Sequence, residues 1–243
     1  MISEVVRGRT DLVIPWISGG GEAMATDEHG TSLIKWCAYY GDVSAIRFLL
    51  EHGEDLASLG SNFDLNGAAF HGHWRLCEFL LEQGADPNVP LAETGETPLH
   101  SAVSVSNRPA HELTVTVLLA AKANPNAATK RDVPTGAFMR DCKTKGETPL
   151  HRAAAFASPT TVESLIAAGA NVEAKDANDE TPLAWASWHQ RPSSILRLLS
   201  YGPHSLHPGS NWTGDHGTGW RAMDYHLLGK PRLDCYDFEQ GTT

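Results

Sequence analysis

No apolar run in this chain approaches the roughly 20 residues that a membrane-spanning helix needs. The N-terminal stretch Met1–Arg9 lacks the basic-then-apolar layout of a secretory signal. Cysteine is scarce: the four thiols, Cys37, Cys77, Cys142 and Cys235, contain no Cys-x-x-Cys and form no staple pattern, which argues against a disulfide framework and a zinc site. They read as reduced thiols, and a cytoplasmic location is expected. Positive charge is also short, with 19 Lys and Arg against 29 Asp and Glu, so the net charge is −10. That balance argues against binding of nucleic acid by phosphate neutralisation. The acidity is spread along the chain, as solubility requires. There is no Gly-x-Ser-x-Gly elbow and no His-Glu-x-x-His, and Gly19-Gly20-Gly21 reads as a helix end rather than a phosphate loop. No metal and no cofactor is expected.

What the chain does contain is a repeated phrase. Gly-Glu-Thr-Pro-Leu-His stands at Gly95–His100 and again at Gly146–His151, and Asp-Glu-Thr-Pro-Leu follows at Asp179–Leu183. Thr97, Thr148 and Thr181 are placed to cap a helix. Pro98, Pro149 and Pro182 fall in its first turn, where a missing N–H does no harm. Gly84 and Gly169 sit where a helix ends in the left-handed conformation. The spacing of about one 33-residue unit and the Thr-Pro-Leu-His opening resemble the ankyrin repeat. The resemblance covers nearly the whole chain and implies an all-α repeat solenoid, a stack of helix–turn–helix units joined by short hairpin loops. It is nearly silent on function, because that fold serves many partners.

Units open near Ser32, Phe63, Thr97, Thr148 and Thr181, which divides the chain into an N-terminal capping half-repeat (1–31), five repeats (32–202) and an irregular segment with a C-terminal half-repeat (203–243). Thr97 to Thr148 is 51 residues, against 33 from Thr148 to Thr181, and the excess divides between the helix-to-helix return at Asn107, Arg108 and Pro109 and a loop at about 127–145 that carries Lys130, Arg131, Arg140, Lys143 and Lys145. A second insertion spans 203–218. Repeat folds place insertions on one face, often the working one.

The resemblance also implies which positions face the concave groove, those just before the inner-helix end. Here they hold Tyr39, Tyr40, Phe70, His71, Phe156, Trp188 and His189, with Trp36 and Trp185 one turn earlier. A contiguous aromatic surface marks an interaction site, although any one ring at helical spacing serves packing equally well. Trp36 and Trp185 are the most structural of the set. The aromatics form two clusters, Trp36 to His71 and Phe156 to His189, about 30–40 Å apart if successive helices pack at about 8–10 Å.

Of the 12 histidines, His100 and His151 belong to the motif and should bridge backbone groups. His73 follows a glycine return. His71-Gly72-His73 straddles a helix end, where the two rings should diverge. His204, His207, His216 and His226 lie in the irregular tail. Lys35 and Asn66 replace the motif histidine in the two repeats that are richest in aromatics, and local rules tend to fail at working sites.

Two functions are compatible with this pattern. In the first, the protein captures a protein or peptide partner in the groove, without catalysis. In the second, it is a receptor or acid–base isomerase or lyase for a small polar or sugar-like molecule, with the insertions as a lid and Tyr40, His71 and His189 as the acid–base candidates. Tyr40 and His71, on neighbouring repeats, are expected to stand within reach of each other as a pair.

Overall fold

The computed structural model describes residues 1–105, 108–136 and 142–201. The sequence expectations at 203–243, including the second insertion, the C-terminal half-repeat and His204, His207, His216 and His226, lie outside the described residues.

Helices come in antiparallel pairs. α1 (Ile2–Val6) and α2 (Val13–Ser18) precede the repeats. The pairs that follow are α3 (Leu33–Tyr39) with α4 (Val43–Glu51), α5 (Leu65–Phe70) with α6 (Trp74–Glu82), and α7 (Pro98–Ala102) with α8 (Pro109–Ala120). After strands β1 (Arg131–Thr135) and β2 (Cys142–Lys145) come α9 (Pro149–Phe156) with α10 (Pro159–Ala167), and α11 (Pro182–Trp188) with α12 (Ser193–Tyr201). Two compact units result. Unit 1 comprises Met1–Pro90, Thr97–Ala102 and Pro109–Ala123; unit 2 comprises Leu91–Glu96, Val103–Arg108 and the chain from Asn124 onward.

Within each unit, inner helix packs on inner helix and outer on outer: α5 on α7 and α6 on α8 in unit 1, α9 on α11 and α10 on α12 in unit 2. The motif leucines fill these layers, with Leu33, Leu65, Leu99 and Leu150 fully buried. The inner helices α3 and α5 run into a glycine, α9 into the extended Ala157 and α11 into the left-handed Gln190, which keeps them short. At Gly41 and Gly72 a positive φ of 72° reverses the chain, and an added Cβ would stand 2.6 Å from the His73 ring or 2.7 Å from the His111 ring. Those two rings donate from Nε2 to the carbonyls of Tyr39 (2.9 Å) and Phe70 (3.0 Å), latching each repeat to the one before it.

The motif histidines act through backbone, as their place in the phrase implies. His151 Nδ1 accepts from the Thr148 N–H (3.1 Å), so the other nitrogen carries the proton and donates to the Glu180 carbonyl (3.0 Å). His100 accepts from Thr97 N–H in the same way (3.1 Å). Thr181 has alanine three residues on, and there the threonine hydroxyl itself accepts from Ala184 N–H (3.3 Å).

The insertion at 127–145, read as a loop, contains a two-stranded antiparallel hairpin that pairs Arg131 with Lys145, Pro134 with Lys143 and Thr135 with Cys142. Asp132, with φ of +59°, bulges the register between Arg131 and Pro134. β-Branched Val133, Thr135 and Thr144 favour the pleat, and the fully buried Thr144 hydroxyl closes on the main chain of Val133.

Candidate functional site

In unit 1 the end of α3 carries the first aromatic cluster. The Trp36 indole N–H donates to Asp27 Oδ2 (3.0 Å), and Asp27 also accepts from the N–H groups of His29 and Thr31, so one turn carboxylate fixes the ring. Tyr39 packs edge-on to Trp36 at 5.9 Å and to His71 at 4.9 Å; Phe70 meets His71 at 5.4 Å. Tyr39 is 51% exposed, a large apolar area to leave in water.

Two expectations are corrected here. Tyr40 and His71 do not form an acid–base pair, because Tyr40 sits at the end of α3 and turns its hydroxyl onto the Val6 carbonyl of α1 (2.6 Å). The rings of His71 and His73 do not diverge. The tight turn at Gly72 folds them alongside each other at 5.6 Å, nearly parallel.

Below the cluster opens a cleft of about 830 Å³, walled by Trp36, Tyr39, Tyr40, Phe63 and His71 and flanked by Lys35 and Asp64. Its far wall is strained. Asn62, Phe63 and Asp64 have φ of +51°, +53° and +53° in succession, a conformation that costs non-glycine residues about 1–3 kcal/mol each. The turn is held by Asn62, whose amide exchanges two 2.8 Å bonds with the main chain of Asp86, and by Asp64, which caps α5 through Gly67 N–H. Burial pushes the Asp64 carboxyl above its usual range, against the Gly67 bond and the nearby His71 and Lys35. Burial, then His73, pushes His71 below its own. Strain and displaced ionisation in one cleft are features that functional sites share. Sequence reasoning passed over Phe63 and Asp64 as site residues. The available signal was Phe-Asp-Leu-Asn at a position where other repeats read Thr-Pro-Leu-His. Lys35 is exposed, whereas Asn66 is buried and accepts from Ser101 Oγ (3.3 Å), so only the first of these replacements reaches the cleft.

Unit 2 carries the second cluster on α11. The Trp185 N–H donates to Asp176 Oδ2 (3.1 Å), and Asp176 accepts from the N–H groups of Asn178 and Glu180, the same turn as at Asp27. Trp185 is only 8% exposed, packed edge-on to His151 at 5.6 Å and covered by Lys145 of the hairpin. Trp188, by contrast, is 62% exposed, with its N–H held by Glu180 Oε1 (3.0 Å). Phe156 and His189 meet at 4.8 Å. A smaller cleft of about 250 Å³ lies among Lys145, Glu180, Trp185, Trp188 and His189.

A buried ionic cluster in unit 2 escaped sequence reasoning altogether. Arg152, with no exposed surface, pairs with Glu96 (2.6 Å) and Glu147 (2.5 Å) and donates to Ser104 Oγ (3.0 Å). The same two carboxylates accept from the hydroxyls of Thr135 (2.9 Å) and Thr129 (2.7 Å), and Glu147 also accepts from Lys145 N–H (2.6 Å). Burial alone would raise the Glu147 carboxyl; Arg152 and the bonds from Thr129 and Lys145 outweigh it and hold the group below its usual range. Arg152 thus ties both ends of the hairpin to the turns of two repeats.

Cys37 and Cys77 are fully buried, and desolvation lifts each thiol to about 12, so neither is a nucleophile near neutral pH. Among the described residues, no group of three or more His, Cys, Asp or Glu side chains is placed to hold a metal ion. No helix among them is long and apolar enough to cross a membrane.

Helix pairs repeated along the chain, two of them opening on Thr-Pro-Leu-His, define a helical repeat protein. Family models bear this out: one for ankyrin repeats in three copies matches residues 118–207, one for ankyrin repeats in many copies matches 68–110, and a single-repeat model matches 94–130. The chain belongs to the ankyrin-repeat family. It is similar to palmitoyltransferase AKR1 of Lachancea kluyveri (28% identity, 72% of this chain, 22% of that protein) and to palmitoyltransferase ZDHHC13 of Mus musculus (28%, 74% and 32%). A shorter match, 32% identical over 35% of this chain and 3% of the relative, is to the E3 ubiquitin-protein ligase Ufd4 of Drosophila melanogaster. The chain spans at most about a third of these relatives.

Proposed function

We propose that this protein is a binding module that captures a peptide segment of a partner protein, with the unit 1 cleft as a principal contact. The observation that carries this reading is the exposed Tyr39 beside a strained, aromatic cleft of about 830 Å³. It lies in the first two repeats, where Lys35 and Asn66 stand in place of the motif histidine. Trp36, Tyr39, Tyr40, Phe70 and His71 supply contact area with polar edges, the composition of binding hot spots. The likeness to palmitoyltransferases and a ubiquitin ligase fits a module that presents partners to catalytic machinery outside the region shared with this chain.

A second reading, a receptor for a small polar or sugar-like molecule, draws on the cleft volume, which suits such ligands, and on the Asp64 carboxyl at its edge, which desolvation holds above its usual range. An enzymatic version of it has to work without a Tyr40–His71 pair.

Peptide-display selection on the full chain, followed by calorimetry of the selected peptides, tests the proposal. Tyr39→Ala and Lys35→Ala should each weaken capture by about 1–3 kcal/mol without lowering the melting temperature. Selected peptides that bind both variants as tightly as the parent would refute the cleft as their site.

A further inference from the structure

The side chains around Trp185 and Trp188 form a preorganised seat for a positive charge. Each indole N–H is committed to a carboxylate, Asp176 for Trp185 and Glu180 for Trp188, so the rings are held in place. A carboxylate accepting from the indole N–H also drives electron density into the ring, which strengthens its attraction for a cation over the face. One cation is already there: Lys145 Nζ lies 5.4 Å from the centre of the Trp185 ring, inside the range of about 6 Å over which the ring quadrupole acts. The cleft of about 250 Å³ holds one side-chain head group and falls below the roughly 300–1,000 Å³ of small-molecule pockets.

We infer that this surface of unit 2 binds a lysine or arginine side chain of a partner protein, and that Lys145 occupies the seat until the partner displaces it. Lys145 is suited to leaving. It is exposed, it sits at the end of the insertion hairpin, and among the described residues its ammonium forms no ion pair with Glu180. Once it swings away, the part of Trp185 that it covered, the exposed side of Trp188 and the Glu180 carboxylate line the position it leaves. His189 offers no repulsion: burial, then Arg191 and Lys145, hold its ring below the usual histidine range and therefore neutral near pH 7. The Asp176 and Glu180 carboxylates, each bonded to one of the two indoles, favour a cation at this position over an anion. This inference is independent of the unit 1 cleft.

The test is a titration of the full chain, labelled with ¹⁵N at tryptophan, followed at the Trp188 indole resonance, which Trp188→Phe identifies. The probes are a twelve-residue peptide of alternating glycine and lysine and its glycine–glutamate counterpart. The basic peptide should shift the resonance saturably and the acidic one should not. Lys145→Gln should tighten the basic peptide about two- to fivefold by vacating the seat, and Glu180→Gln, which keeps an acceptor for the Trp188 N–H, should loosen it by about the same factor. Lys143→Gln removes the same charge from a neighbouring exposed position and should change affinity less than the Lys145 variant. A larger response to the acidic peptide, no saturable shift with millimolar basic peptide, or a Lys145 variant that binds no better than the Lys143 variant would each overturn the inference.

Discussion

The two aromatic clusters are built on one local device and end as surfaces of different character, one open and one covered. Asp27 and Trp36, like Asp176 and Trp185, stand nine residues apart, and in both cases the aspartate gathers two turn N–H groups and the indole N–H. In unit 1 the half-buried Trp36 borders a cleft of about 830 Å³; in unit 2 Trp185 is buried and the neighbouring cleft measures about 250 Å³. The difference comes from what the neighbours bring. His151 packs on Trp185 and the hairpin lays Lys145 over it. Among the described residues the rings beside Trp36 are those of Tyr39 and Tyr40, 5.9 Å and 6.4 Å away. A repeat motif therefore sets where a ring is anchored, and the adjacent repeat decides whether it stays available.

The largest effect should come from the cluster that holds the hairpin in unit 2. Arg152→Ala leaves Glu96 and Glu147 buried without their shared guanidinium and should cost about 3–5 kcal/mol. Repeat stacks transmit such losses to nearest neighbours, so urea melts followed at Trp185 and Trp188 should move more than those followed at Trp36. An equal shift at all three rings would show that the clusters do not respond separately. Replacing the turn aspartates should have a smaller effect and test the shared device itself. Asp176→Ala strands two N–H groups and a buried indole, and should cost about 1–3 kcal/mol. Asp27→Ala, at a more exposed turn, should cost less while broadening the Trp36 emission. If the Asp27 variant proves the less stable of the two, the burial argument fails.

The smallest effect is in pH dependence, where the carboxylates of the two units oppose each other. Glu147 is held below its unfolded value, so its contribution is present above the ordinary carboxylate range and is lost as the pH falls through its folded value. Asp64 is held above its own, so folding bears the cost of its charge at neutral pH and is relieved of it in acid. His151 in unit 2 and His71 in unit 1, both depressed first by burial, each add a loss that begins as the pH drops below the ordinary histidine value, so the contrast between the units rests on Glu147 and Asp64. Acid titration of stability, read ring by ring, should therefore weaken unit 2 before unit 1. Glu147→Gln and His151→Gln should each flatten the unit 2 curve, and a curve unchanged in both would contradict the assignment.

Much of this architecture is legible in the residues alone because it is local. The Thr-Pro-Leu openings, the glycines after the outer helices and the motif histidines state their roles within a few positions, since caps and turns are satisfied by near neighbours. The turn aspartates are legible only once the two Asp-to-Trp stretches are compared. The hairpin was hidden inside a stretch that reads as loop, because its strands are short and one of them carries a proline. The candidate site was half visible. The rings could be placed at inner-helix ends, but Tyr40 was paired with the wrong partner, since its acceptor on α1 is 34 positions away.

By itself the sequence determined the repeat, the inner and outer helices, and which turns carry aromatic side chains, all consequences of backbone satisfaction and hydrophobic spacing over a few residues. Only the tertiary structure decided that Arg152 joins Glu96 to Glu147, that Asn62–Asp64 adopt a left-handed turn beside a cleft, and that Lys145 covers one tryptophan while Tyr39 remains open. Those outcomes depend on side chains far apart in the chain and on burial, which sets the cost of leaving a charge or a polar atom without a partner. No local pattern encodes that cost.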